Sequence, residues 1–440
     1  MIKSVRIPVT LAALVALSAC GVFKGGGNKT PVLGQRVPIL ASESGISADK
    51  SIAAVDVVLP VAVANPDWSQ PGGNSAKAMG HLAVGEAPVR AWSAKIAGSN
   101  GRVRLAAAPV VVDGKLFVVD TDAVVHAFDA TNGSKLWSFA TSTDKENRNA
   151  AFGGGVSVEG GRAFATNGLG DVVAIDVTAG TEIWRKKPGG PLRGAPTLFL
   201  GNAYVVSQDN QLFALAQSDG AVVWTQSGTP ETQGVFGVAA PAAAQGTIVA
   251  GFSSGELNAY RYENGRSLWS DTLSRSTIST SVSSLVDIDA EPVIDQGRVY
   301  AVGQGERMAA VELASGQRLW EQNFAGISTP WIAGEWIFVM TDDARLVCIA
   351  RGSGKVRWIS PMRAWRDEKD KKGPITWVGP VLAGNRLWLG NSRGELVSTS
   401  PADGSVGTTI DVGEPISLSP IVAGNSIYVL SDKGVITAYR

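Results

Sequence analysis

The sequence predicts an all-β fold, an eight-bladed β-propeller of four-stranded antiparallel blades whose ring is closed by an N-terminal strand. Three observations carry this. Turn glycines at Gly133, Gly180, Gly220, Gly265, Gly316, Gly354 and Gly404 are each answered four residues later, by Trp137, Trp184, Trp224, Trp269, Trp320, Trp358 and Thr408. These turns recur about every 45 residues, the length of one four-stranded unit. A second turn glycine recurs as Gly114, Gly160, Gly201, Gly246, Gly297, Gly334, Gly384 and Gly424, one per blade.

The first unit displays the pattern that the others repeat. Pro109-Val110-Val111-Val112 leads into the turn Asp113-Gly114, and Leu116 to Val119 follows as the second strand. Val124 to Phe128 forms the third strand, and Asn132-Gly133 turns the chain into Lys135-Leu136-Trp137. Asp-Gly and Asn-Gly tolerate positive φ, which tight hairpins require. The last unit stops at Arg440 without a Trp strand, whereas Ala87 to Ile96 holds a Trp strand, with Trp92, that has no partners before it. That strand is expected to complete the last blade and remove an open edge. The Trp side chains are expected to pack between neighbouring blades.

The chain divides into four expected segments. Residues 1–19 read as a lipoprotein signal peptide: Lys3 and Arg6 precede an apolar run of about eleven residues, short of the roughly 20 that a spanning helix needs. The run ends in Leu17-Ser18-Ala19-Cys20, which looks like a bacterial lipobox, with Cys20 the lipidation site. Gly21, where Asp would resemble an inner-membrane retention signal, points to the outer membrane. Residues 20–50 read as a lipidated flexible tether. Residues 51–86, with Asn65-Pro66-Asp67-Trp68 and Pro71-Gly72-Gly73-Asn74, are expected to pack on the outside of the propeller, which itself spans 87–440.

Composition narrows the function. Charged residues make up 18% of the 440, net charge is zero and no basic stripe is visible, so nucleic-acid binding is not suggested. There are two Cys and two His, and neither His81 nor His126 has a motif partner nearby, so no Cys/His zinc cage is expected. Cys348, in an apolar strand, reads as a buried core residue. The pattern G-x-S-x-G occurs at Gly251–Gly255 and Gly390–Gly394, but both matches fall in a hairpin with no helix following, so no catalytic serine is expected. Asp120 with Asp122 and Asp342 with Asp343 lie in hairpins, where Asp favours turns. Asp287 and Asp289 differ, because they sit in a long irregular link, 271–291, and could form an exposed acidic patch for a basic partner. The mixed-charge run 363–372 reads as a solvated loop or a rim contact. No catalytic, cofactor or metal residue is assigned.

The G-x-x-x-W repeats resemble those of quinoprotein dehydrogenases, whose quinone site uses a vicinal disulfide and a calcium shell. This chain has no Cys-Cys pair. A closer resemblance, over essentially the whole chain, is to the BamB family of outer-membrane assembly lipoproteins. It rests on the lipobox, the tether, the opening Trp strand, the eight repeats and Ser283 to Val293, similar to the family's Leu-x-Asp-x-Asp segment. That resemblance implies a non-enzymatic scaffold on the periplasmic face of the outer membrane. It would dock on POTRA domains of the barrel-forming subunit, aid folding and insertion of β-barrel proteins, and meet their unfolded forms as clients. Asp287 and Asp289 match the binding segment. A second family contact is expected one blade earlier, at Val235 and Phe236 by register, which assigns Leu192-Arg193-Gly194 to the preceding repeat. The alternatives are a periplasmic ligand-binding propeller and a quinoprotein-like enzyme.

Overall fold

Each blade starts as a hairpin, and in every blade but the sixth both turn residues carry positive φ. Asp113 (φ 50°) and Gly114 (φ 70°) join Val110–Val112 to Lys115–Val119. Gln296 (φ 46°) and Gly297 (φ 76°) do the same between Val293–Asp295 and Arg298–Gly303. This twist matches that of the strands it connects. A computed structural model describes residues 45–440 apart from 143, 145, 146, 148, 149, 231–238 and 274–285. These residues belong to one unit, Gly45–Arg440. Cys20, Val235 and Phe236 lie outside the described residues.

Eight four-stranded antiparallel sheets follow one another around a ring. Blade 1 contains Val110–Val112, Lys115–Val119, Val124–Asp129 and Lys135–Ala140, and blades 2 to 7 repeat that order. Blade 8 takes three strands from the C-terminus, Ile421–Ala423, Ser426–Leu430 and Val435–Tyr439. Its fourth strand is Arg90–Lys95, which runs antiparallel to Val435–Tyr439 with Trp92 opposite Ala438 and Lys95 opposite Val435. The run 363–372, expected as a solvated loop or rim contact, builds a small extra hairpin, Trp365–Asp367 with Lys372–Pro374, between blades 6 and 7. The second and third strands of every blade are almost entirely buried and apolar, and they hold the core between blades.

Antiparallel blades put their turns on two faces. The first and third turns of every blade share one face. The second hairpins share the other with the links between blades. Each inner strand presents one unpaired edge to the axis, and an unpaired edge needs partners.

Residues 63–84 supply them, in ring order. Asn65 donates through Nδ2 to the carbonyl of Val422 in blade 8 at 2.8 Å. Trp68 and Val111 of blade 1 exchange two backbone bonds, 2.6 and 2.9 Å. The carbonyl of Ser69 accepts from Val158 of blade 2, and the Gln70 amide brackets Leu198 of blade 3. The carbonyls of Ser75 and Ala76 accept from Ala243 of blade 4 and Ile294 of blade 5. Gly80 accepts from the Trp331 indole of blade 6, and Leu82 lies between Leu382 and Gly384 of blade 7. This strap therefore bonds to all eight blades. The sequence places 51–86 on the outside. The structure lays 63–84 over the axial mouth instead, because that is where the free edges are.

The approach to the strap is also docked. Asp49 donates its N–H to Val356 at 2.8 Å, and Arg357 donates to the carbonyl of Val55 at 2.6 Å, along the outer strand of blade 6. Residues 45–50, which the sequence groups with the tether, are thus already on the propeller. Among the described residues no helix is long and apolar enough to cross a membrane.

Candidate functional site

The site begins with the link that enters blade 5. Ile288 is fully buried and seats against Gly251, where a Cβ would lie 2.5 Å from its Cγ2. The backbone around it is fixed by bonds from Ile288 to the Phe252 carbonyl and from Gln304 to the Asp287 carbonyl. An anchored Ile with an Asp on either side sets both carboxylates in place.

Neither Asp forms the exposed patch that the sequence suggests. Asp287 is 1% exposed, and the Asp289 side chain 9%. The reason is a cation the sequence reading set aside. Arg193, 2% exposed, donates to Asp289 Oδ1 at 3.2 Å. Gln304 donates to Asp289 Oδ2 at 2.6 Å. Arg193 lies in the link before blade 3, held by its N–H to Val206 and by the Leu192–Ser207 bridge. Two links that are far apart in sequence thus meet on the second-hairpin face.

Burial dominates the electrostatics. It pushes Asp289 up to about 6, aided by Asp287 and Asp342 and opposed by Arg193 and Gln304. It also lowers Arg193, against the pull of Asp289 and Asp287. A second charged pair joins the strap to the same link. Burial lowers Lys77 of the strap to about 8, although Glu291 pulls it back. Burial likewise raises Glu291, against Lys77 and the Thr329 hydroxyl. Lys77 Nζ donates to the Pro71 carbonyl at 2.7 Å and reaches Thr197 Oγ1 at 3.3 Å.

Asp289, Glu291 and Lys77 all line an axial cavity of about 300 Å³. Trp68, Pro71, Gly72 and Lys77 of the strap form its floor, and residues at the entry to the inner strands form its wall. Trp68 stacks on Trp331 there, with ring centroids 6.2 Å apart.

The other residues singled out in the sequence have structural partners. His126 Nε2 lies 2.8 Å from Asp120 Oδ2, and His81 sits between the Pro60 carbonyl and the Asn385 N–H. So both histidines do have nearby partners, which the sequence concealed. Ser253 donates to Asn210, and Ser392 accepts from the Thr376 N–H. Cys348 is buried, and burial raises its thiol. Among the described residues no three His, Cys, Asp or Glu side chains gather as a metal site. Sequence reasoning missed Arg193, Lys77 and Glu291. An Arg in an apolar link, Pro191-Leu192-Arg193-Gly194, was the one available signal for the first.

The comparisons bear on the fold and the family. The sequence profile described as outer membrane protein assembly factor BamB matches residues 89–150, 122–360 and 362–440. The BamB of Yersinia pestis is 25% identical over 357 residues, covering 80% of this chain and 88% of its own length. The BamB of Escherichia coli K12 is 26% identical over 320 residues, 72% and 79% respectively. The crystal structure of BamB from Moraxella catarrhalis superposes with a TM-score of 0.66 at 16% identity, covering 80% of this chain and all of that one. A quinohemoprotein alcohol dehydrogenase from Comamonas testosteroni reaches 0.69 at 14% identity, covering 86% and 81%, a likeness of fold alone. With its profile spanning nearly the whole propeller, the chain belongs to the outer membrane protein assembly factor BamB family.

Proposed function

We propose that this protein is a lipid-anchored, non-enzymatic accessory subunit of the outer-membrane β-barrel assembly machinery. It docks by its second-hairpin face on periplasmic POTRA domains of the barrel-forming subunit. The observation that carries the reading is the Arg193–Asp289 ion pair beneath a face built from links of the BamB-matched region. The pair fixes the Asp287–Asp289 segment within the link that this face presents. Cys20 anchors the chain at the outer membrane, facing the periplasm. Val235 and Phe236 are proposed to extend the contact from the neighbouring link. Unfolded barrel proteins are proposed as clients of the assembled machinery.

The deciding experiment is co-purification of the full-length lipoprotein from detergent-solubilised outer membrane. The wild type is expected to bring down the barrel subunit at near-equal amount. A double variant, Asp287→Asn with Asp289→Asn, is expected to lose most of it while keeping its circular dichroism. Undiminished recovery by a folded double variant would overturn the site. Absence of the barrel subunit from the wild-type eluate would overturn the scaffold reading. A quinoprotein-like enzyme finds less support, since the sequence holds no adjacent cysteine pair.

A further inference from the structure

We propose that the extra hairpin between blades 6 and 7 is a cationic contact element that meets an acidic patch on the barrel-forming subunit. This rests on the docking reading above and adds a second contact, built from residues which that reading does not use.

The hairpin has no part in closing the ring. Links 323–330 and 412–420 join two other pairs of neighbouring blades, and both are shorter than 362–376, which carries the hairpin. Long links in a compact domain are often functional. The base of this one is tied down. Met362 and Ile375 are buried on either side of it. The Ile375 N–H donates to the Ala364 carbonyl at 2.8 Å, and the Trp377 indole donates to the Arg363 carbonyl at 2.8 Å. Beyond that base, residues 366–374 are all exposed. As part of a link between blades, the hairpin stands on the second-hairpin face, beside Ser392 of blade 7.

Its charges divide by role. Five cations, at 363, 366, 369, 371 and 372, outnumber three carboxylates. The carboxylates hold the turn. Glu368 Oε1 accepts from the N–H groups of Ala364 and Trp365, and Asp367 Oδ1 accepts from those of Lys369 and Asp370. Asp370 pairs with Lys372 at 3.1 Å. Lys369 and Lys371, in the turn, have no carboxylate within ion-pair distance among the described residues. Arg366 is set in advance. Its stem lies against Gly373, where a Cβ would come 3.1 Å from Cδ, and its guanidinium donates to the Ser392 carbonyl at 3.2 Å. A guanidinium already held in place loses little side-chain entropy when a carboxylate arrives.

The pattern selects the occupant. Unpaired cations on an exposed ridge call for anionic oxygens. An anionic bilayer presents one sign of charge and repels the exposed Asp367, Glu368 and Asp370. A protein surface can set acids opposite the cations and leave the carboxylates unopposed. Such exposed pairs act on the association rate and its salt dependence more than on affinity.

The test uses the full-length lipoprotein and the purified barrel subunit, both in detergent, with association followed by surface plasmon resonance at low and at high salt. The wild-type rate is expected to fall as salt rises. Lys369→Glu with Lys371→Glu is expected to lower the low-salt rate about ten-fold and to flatten the salt dependence, with circular dichroism unchanged. Zero-length carbodiimide coupling of the wild-type complex is expected to join Lys369 or Lys371 to an Asp or Glu of the subunit. Wild-type rates and salt dependence in the folded double variant overturn the proposal and leave docking intact. Coupling confined to this chain's own carboxylates, while docking persists, also overturns it. So does a double variant that docks normally but no longer floats with phosphatidylglycerol vesicles, which makes the bilayer the occupant. Failure of the wild type to bind the subunit at all removes the docking reading, and this contact with it.

Discussion

The indole N–H of Trp269 donates to the carbonyl of Leu313 at 2.7 Å, and its ring lies flat against Gly316, three residues further on. The same latch joins every blade that has a Gly turn to the blade before it. Trp92 reaches Ala130, Trp137 reaches Val177, Trp184 reaches Gln217 and Trp224 reaches Tyr262. Trp320 and Trp358 reach Arg351 and Pro401. Each Trp fills the widening outer gap between blades, and its N–H satisfies a turn carbonyl.

A methyl group at Gly316 is therefore expected to break one latch. Its φ is +74°, and a Cβ would lie 2.6 Å from Trp269. Gly316→Ala should cost about 1–3 kcal/mol, part from strain and part from displaced packing. Trp269→Phe keeps most of the ring and loses the N–H, so about 1–2 kcal/mol is expected. Thermal melting followed by circular dichroism checks both, and an unchanged melting temperature for Gly316→Ala would refute the latch.

Thr408 occupies the Trp position of blade 7, and it is exposed. Its neighbour, blade 8, joins the two ends of the propeller, Val435–Tyr439 and Arg90–Lys95, where no Gly turn exists to receive a ring. Thr408→Trp should shift stability by no more than about 0.5 kcal/mol. Trp358→Thr should cost about 3 kcal/mol, because it empties a filled gap. Comparable effects of the two substitutions on the melting temperature would refute this asymmetry.

Deleting residues 87–96 removes the outer strand of blade 8 and the Trp92 latch together. Val435–Tyr439 is then left with a bare edge, which invites pairing with other copies. Size exclusion should show association, and melting should occur at a lower temperature. A soluble monomer with wild-type melting would exclude ring closure by this strand.

Asp289 makes stability depend on pH. Its folded value, about 6, lies above the ordinary 3.8, so between those values the folded state holds more protons than the unfolded one. Stability contributed by the protonated carboxyl is present below 3.8 and is lost as pH rises through about 6, in total on the order of 2–3 kcal/mol. Asp289→Asn removes this dependence. The variant's melting temperature relative to wild type should therefore be more favourable at pH 7.5 than at pH 4.5. An equal difference at both would show that Asp289 titrates normally.

The repeat was legible because its cause is local. Turns such as Asp113-Gly114 need positive φ, and alternate burial along short strands leaves a period that any reader can count. The closing strand was legible for the same reason, since Ala87 to Ile96 carries a Trp strand with no hairpin before it. Arg193 was not legible as a partner of Asp289, since 96 residues separate them and only the ring's curvature brings their links together.

The amino-acid sequence by itself determined the blade number, the strand order and the Trp–Gly register, all products of short-range turn chemistry and hydrophobic alternation. Tertiary structure alone decided that residues 63–84 strap the axial mouth, that Asp287 and Asp289 are buried, and that Lys77 and Glu291 meet in one cavity. Those outcomes depend on where eight unpaired inner edges converge, and convergence at an axis exists only once the ring has closed.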